Sequence, residues 1–121
     1  MRRRLALLVS AGMLLVVLGA PPVSSAVVVK GVVCSTCLKG YKWMPKITTV
    51  AKGTKVTWKA VSGSHTVTAT SKNWSKNTSI STGQTTAFTF KSAGTYRFRC
   101  TIHSTVSGGT CSGMCGKIVV G

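Results

Sequence analysis

The chain has 121 residues with sixteen Lys or Arg and no Asp or Glu, which gives a formal net charge of +16. The lack of carboxylates excludes paired-carboxylate glycosidases, aspartic proteases, Ser-His-Asp triads and calcium or magnesium sites built from acidic side chains. His, Cys, Met and hydroxyl chemistry remains. The positive field should attract anionic partners, including nucleic acid without sequence specificity, unless the lysines only keep a small domain soluble.

Residues 1–26 are predicted to be a secretory signal peptide. Arg2, Arg3 and Arg4 form a basic start, residues 5–20 are largely apolar, and a polar end closes on Ala26. The apolar stretch is shorter than the roughly 20 residues that span a bilayer, so an uncleaved anchor is the weaker alternative. Cleavage would leave one small domain, residues 27–121, in a secreted or periplasmic location.

The region that follows contains the first of five cysteines, which are Cys34, Cys37, Cys100, Cys111 and Cys115. An odd number in an exported chain predicts two disulfides and one free thiol. Two short-spaced pairs could instead hold zinc, but an oxidising compartment favours disulfides. A thioredoxin-like role for the first pair is disfavoured because no helical pattern follows it.

From Ile47 onward, short runs of alternating apolar and polar residues predict an all-β fold. In residues 54–59, Val56 and Trp58 share one face while hydrophilic residues share the other. The strands are separated by turns, and no segment between them has the period of a helix. This pattern favours an antiparallel sandwich over a parallel sheet. Residues 71–81 are predicted to be a loop with Trp74 covering the core, and Met44 is predicted to lie in the core.

The same period of two places two chemically active side chains on buried faces. In residues 65–70, His65 shares the apolar face with Val67; in residues 95–100, Cys100 shares it with Phe98. The final strand is expected over residues 117–120.

His103 follows Cys100 by three residues, and Met114 precedes the final strand. With His65 they offer two imidazoles, a thiolate and a thioether. A trigonal His-His-Cys site with a weak axial Met is the arrangement that holds copper in both oxidation states for electron transfer. Zinc would favour a harder fourth ligand or another Cys.

Five segments in this order resemble the cupredoxins, with plastocyanin and pseudoazurin as the nearest kind. They are residues 43–45 (WMP), 52–58 (KGTKVTW), 64–67 (SHTV), 94–103 (GTYRFRCTIH) and 113–120 (GMCGKIVV). The resemblance implies a Greek-key β-sandwich of about seven to eight strands. It also implies one type 1 copper ion held by His65, Cys100, His103 and Met114, and electron transfer as the role. We expect a monomer, whose basic surface would dock an acidic redox partner.

The sequence departs from that family pattern in two places. The segment between His103 and Met114 is longer than usual and contains Gly108, Gly109 and Cys111. The segment before His65 is Ser-Gly-Ser, so the hydrogen bonds that brace the copper loop are expected to come from backbone or hydroxyl groups.

By the same resemblance, the N-terminal segment approaches the copper end of the sandwich. We therefore expect one of Cys34 and Cys37 to pair with one of Cys111 and Cys115, and the other two to pair likewise. Local pairs are the alternative.

Three functions compete at this point. The first is an electron carrier, the second an extracytoplasmic protein that stores or delivers copper, and the third a binder of anionic polymers on a cupredoxin scaffold. Reversible reduction favours the first, rapid loss of copper to a weak chelator the second, and unchanged polymer binding without copper the third. An enzyme is disfavoured because no open coordination position or general base is evident.

Overall fold

The computed structural model describes Gly12 and residues 26–121. The predicted signal peptide therefore lies outside the described residues apart from Gly12 and Ala26, and its assignment stays a prediction. Within the described part of the chain, no helix has the length and apolar character needed to cross a membrane.

Nine strands and one short 3₁₀ turn make up residues 26–121, which confirms the all-β prediction with slightly more strands than expected. The strands are β1 (Val27–Val33), β2 (Tyr41–Met44), β3 (Ile47–Val50), β4 (Thr54–Ala60), β5 (His65–Ala69), β6 (Asn77–Ile80), β7 (Thr85–Phe90), β8 (Gly94–Ser107) and β9 (Thr110–Val120), and the turn is Leu38–Gly40.

The strands form two sheets, in the orders β2-β1-β4-β7 and β3-β9-β8-β5-β6. Two neighbouring pairs, β1 with β4 and β3 with β9, are parallel. The expectation of an antiparallel sandwich is therefore correct for the other neighbouring pairs and wrong at these two. The physical reason is that a period of two reports which face of a strand is buried, but not the direction of the strand beside it.

The core lies between the two sheets, where the predicted inward residues meet. Val56, Trp58, Phe98 and Cys100 are fully or almost fully buried. Met44, in contrast, is 48% exposed, so its assignment to the core is wrong. Its neighbour Trp43 takes the inward position of β2, and alternation turns Met44 to the outside.

Trp74 covers the open side of the core, as predicted. Its ring stacks on Trp58 at 6.1 Å between centroids and lies edge-on to Phe88 at 5.2 Å. Its indole N–H donates to the Arg97 carbonyl at 3.0 Å. The loop predicted for residues 71–81 is correct only in its first part, because Asn77–Ile80 pairs with β5.

The long segment before Met114 is a β-hairpin and not an irregular loop. Strand β8 runs on to Ser107 and pairs with residues 110–113 of β9, so the final strand begins well before residue 117. Gly108 and Gly109 form the two-residue turn with φ of +56° and +77°, which fits a type I′ connection that other residues rarely adopt.

Replacement of Trp74 with Ala should lower the free energy of unfolding by about 3 kcal/mol, because the ring fills the gap over the core aromatic residues. Denaturant unfolding of the copper-free protein measures this change. Lys72→Ala, at an exposed position of the same loop, is the control and should change stability by less than about 0.5 kcal/mol. Equal stabilities of the two variants would contradict the packing role of Trp74.

Candidate metal centre

Three of the four predicted ligands lie together at one end of the sandwich. His65 begins β5, whereas Cys100 and His103 belong to β8. Their donor atoms form a triangle: the two Nδ1 atoms are 3.2 Å apart, and Cys100 Sγ lies 3.5 Å from His103 Nδ1 and 3.9 Å from His65 Nδ1. In the described residues this is the cluster whose donor atoms could share one metal ion.

The size of this triangle fits a single transition-metal ion. With bonds of about 2.0 Å to nitrogen and about 2.3 Å to thiolate sulfur, donors spread around one ion lie roughly 3.5 Å apart. One thiolate and two imidazoles are also ligands that suit copper in both oxidation states. The residues present therefore fit a mononuclear copper site.

Cys100 is held in place from the neighbouring strand. Its side chain is fully buried, and it is the free cysteine of the described residues. The backbone N–H of Thr66 donates to Cys100 Sγ at 3.3 Å, and the backbone N–H of Thr101 donates to Thr66 Oγ1 at 2.8 Å. The first bond holds the sulfur in position, and the second ties the strand that carries Cys100 to Thr66.

A bulge in β8 returns His103 towards Cys100. Arg99 pairs with Cys115 and Ser104 pairs with Gly113, so residues 100–103 face Met114 alone. The Ser104 hydroxyl donates to the Cys100 carbonyl and closes the bulge. A Cβ at Gly113 would lie 2.5 Å from the His103 carbonyl oxygen, so the bulge requires glycine there.

Both imidazoles are prepared for metal binding by their surroundings. His65 Nε2–H donates to the Ser62 carbonyl at 2.7 Å, which leaves the Nδ1 lone pair free to face the site. Burial lowers the pKa of His65, and the Ser62 hydrogen bond partly opposes this. Burial also lowers the pKa of His103, helped by the positive charges of His65 and Lys39. Neutral imidazoles are the form that binds a metal.

The structure also identifies residues of the site that the sequence did not predict. The Tyr41 ring packs against both imidazoles, with centroids 5.0 Å from His65 and 4.3 Å from His103. Gly31 makes room beneath them, because a Cβ there would lie 2.8 Å from the His65 ring. Neither residue has a signal in the sequence, since both come from the N-terminal strands of the other sheet. The bracing by Thr66 and Ser62 agrees with the expectation of hydroxyl and backbone groups.

Met114 lies beside this cluster in spite of the long segment that precedes it. It is fully buried, and the same Cβ position at Gly31 would lie 3.1 Å from its methyl carbon. Its methyl group and the His65 ring therefore lie on the same side of Gly31. Its role as axial ligand stays a prediction.

The disulfides correct one prediction. Cys34 pairs with Cys37 and Cys111 with Cys115. The prediction of disulfides between the N-terminal segment and the hairpin of β8 and β9 is therefore wrong. Cys34 and Cys37 lie in a tight turn. The second pair is possible because β9 bends at Gly113, where φ is +95°. The Cα atoms of Cys111 and Cys115 are 6.2 Å apart, whereas four residues of a straight strand would separate them by roughly 13 Å.

The family model of copper-binding proteins of the plastocyanin/azurin family matches residues 32–121. The chain belongs to this family. The family match confirms the cupredoxin resemblance of the sequence and the prediction that the metal is copper.

Solved structures agree with this assignment. An amicyanin from Paracoccus versutus is 26% identical, with 81% of this chain and 83% of that chain covered and a TM-score of 0.61. An amicyanin mutant in its reduced state is 27% identical, with 79% and 82% covered and a TM-score of 0.61. A purple cupredoxin from Nitrosopumilus maritimus shares the fold at 19% identity, with 78% and 99% covered and a TM-score of 0.60. No curated protein sequence is similar enough to this cupredoxin to count as a match.

Replacement of Cys100 with Ser in this cupredoxin should abolish the blue absorption of the copper-loaded protein, because the thiolate is the charge-transfer donor. The copper-free fold should lose only about 1 kcal/mol, since a serine hydroxyl can accept the Thr66 hydrogen bond. Visible absorption and denaturant unfolding measure the two effects. Thr105→Ser, at an exposed position beyond the bulge, is the control and should stay blue. A blue Cys100→Ser protein would remove Cys100 from the site.

Opening the Cys111–Cys115 disulfide should move the blue band but leave the copper bound. The disulfide closes a short loop around Met114, so the double serine variant should loosen the thioether more than the thiolate or the imidazoles. The matched control is the Cys34 and Cys37 double serine variant, whose disulfide closes a turn that contains none of the four predicted donors. Peptide mapping of the unreduced parent protein checks the pairing. Identical spectra for the two double variants would contradict this role of the disulfide.

Proposed function

We propose that this protein is an extracytoplasmic electron carrier that holds one type 1 copper ion with His65, Cys100 and His103, and with Met114 as axial ligand. The observation that carries the proposal is the donor triangle, in which one sulfur and two nitrogens already lie 3.2 to 3.9 Å apart. Copper bound there would supply the exchange of one electron between Cu(I) and Cu(II).

The protein's own part is to keep the same donors in place for both oxidation states. Cys100 and Met114 are soft donors that favour Cu(I), whereas the imidazoles of His65 and His103 accommodate Cu(II). Hydrogen bonds from Thr66 and to Ser62 hold two of these donors from neighbouring segments. A site that moves little between oxidation states loses little energy to rearrangement when an electron arrives or leaves.

His103 offers the route to the surface. It is half-buried, whereas His65 and Cys100 are fully buried. Its chain neighbour Ile102 is exposed, and so is Leu38, which lies in the 3₁₀ turn that contacts β8. An apolar surface around a half-exposed ligand suits the small, short-lived contact that electron exchange requires.

The charge of the chain suggests the kind of redox partner. Lys39 lies close enough to His103 for its positive charge to lower the pKa of that imidazole. Since the sequence offers no acidic side chain to neutralise it, an acidic protein surface is the favoured partner. The predicted signal peptide supports an encounter outside the cytoplasm.

Electron exchange suits this site better than catalysis. Three of the proposed donors, those of His65, Cys100 and His103, converge on one position. No carboxylate side chain in the sequence can act as a general base. We therefore propose a carrier and not an enzyme.

Reversible reduction of the copper-loaded protein tests the proposal. One equivalent of ascorbate should bleach the blue band and ferricyanide should restore it over repeated cycles, while excess free histidine, a weak chelator, should remove little copper. Copper lost to histidine within minutes in either oxidation state would overturn the carrier role and support storage or delivery.

Met114→Leu is the variant that tests the axial position, and an unchanged reduction potential would remove Met114 from the site.

A further inference from the structure

A groove of about 730 Å³ lies on the outer face of the five-stranded sheet, away from the donor triangle. On one side the hairpin of β8 and β9 borders it through Val106 and the Cys111–Cys115 disulfide. On the other side Ile47, the first residue of β3, and the preceding Lys46 border it. The hairpin that distinguishes this chain from the usual family pattern thus builds one wall of the groove.

Three cationic side chains line this groove, and they come from three separate segments. Arg97 of β8 lies directly opposite Lys117 of β9, so that two like charges are neighbours across the sheet. Lys46 is next to them, because its carbonyl accepts the backbone N–H of Lys117 at 2.9 Å. Like charges in such positions destabilise a sheet, and the sequence has no Asp or Glu to balance them. An external anion would relieve this repulsion.

The same groove has an apolar part. Lys117 has Arg97 on one side and Ile47 on the other, because β9 lies between β8 and β3. Ile47 is 53% exposed, and Val106 on the hairpin is 50% exposed. Both line the groove together with the three cations. Two exposed aliphatic side chains beside a cationic cluster suit a ligand that has an anionic head and a hydrocarbon part.

The groove is separate from the metal centre. Cys115 lines it, whereas the adjacent Met114 points to the opposite face of β9 and is fully buried. A ligand in the groove would therefore lie on the opposite face of the sheet from the proposed copper donors and would not contact them. Its binding does not depend on the proposed electron transfer.

We propose that this groove binds a small amphipathic organic anion, with a phosphate or carboxylate group held by Lys46, Arg97 and Lys117 and an aliphatic part against Ile47 and Val106. The volume is within the range of small-molecule sites, which is about 300–1,000 Å³. The arginine can bind an oxyanion through two parallel hydrogen bonds, and the two lysines add point charges.

Binding of octyl phosphate to the Cu(I)-loaded protein tests this proposal. The probe is used below its micelle concentration at fixed ionic strength, and amide chemical shifts locate the site in the diamagnetic protein. Inorganic phosphate supplies the head without the chain, and octyl glucoside supplies the chain without the charge. We expect octyl phosphate to bind more tightly than either, with the largest shifts at residues 46–47, 97 and 117.

Three variants complete the experiment, each checked for folding by its blue band in the Cu(II) form. Lys117→Gln should weaken octyl phosphate binding about tenfold, because a charged contact is lost. Ile47→Thr should reduce the preference for octyl phosphate over inorganic phosphate. Lys59→Gln, an exposed lysine on the other sheet, is the matched control and should change neither.

Several outcomes would overturn the proposal. Equal losses for Lys117→Gln and Lys59→Gln would show only a general attraction of anions to a basic protein. Inorganic phosphate that binds as tightly as octyl phosphate would remove the apolar part of the site, and octyl glucoside that does so would remove the anionic part. Chemical shift changes centred away from the groove would place the ligand elsewhere.

Discussion

Thr66 connects the two strands that carry the donor atoms of the metal centre. Its N–H donates to Cys100 Sγ, and its Oγ1 accepts the backbone N–H of Thr101 and lies 3.1 Å from the Thr101 hydroxyl. Because Thr66 follows His65 in β5, these bonds set the distance between one imidazole and the thiolate. The register of β5 against β8 therefore determines the shape of the site, and the bulge in β8 only has to add His103.

The period of two was enough to predict that His65 and Cys100 point inward, and the resemblance of five segments predicted the sandwich and its metal. The period of two could not predict which strands would be parallel, because the alternation of buried and exposed residues is the same for either strand direction. It also missed Tyr41 and Gly31, whose contacts with the site arise only when the second sheet packs against the first. The disulfide prediction rested on the expected approach of the N-terminal segment to the copper end and was wrong, because each cysteine has a partner close by: Cys34 and Cys37 share a turn, and the bend at Gly113 brings Cys111 close to Cys115.

The extra residues between His103 and Met114 change the surface more than the site. These residues form a regular two-stranded hairpin with a two-glycine turn, so they extend away from the site. Met114 still lies near His65, on the same side of Gly31. The hairpin instead reshapes the outer face of the sheet, where Arg97 and Lys117 are neighbours without an acidic partner. The longer segment thus leaves the donor cluster in place and builds one wall of the groove that we propose to bind an organic anion.

We propose that the fold presents one thiolate and two imidazoles to a single copper ion in an arrangement that does not depend on its oxidation state. X-ray absorption at the copper edge of the protein loaded with one equivalent tests this most directly. We expect one short sulfur and two nitrogen neighbours in both oxidation states, with little change in distance on reduction. A shell without sulfur, or one that exchanges its ligands on reduction, would contradict it.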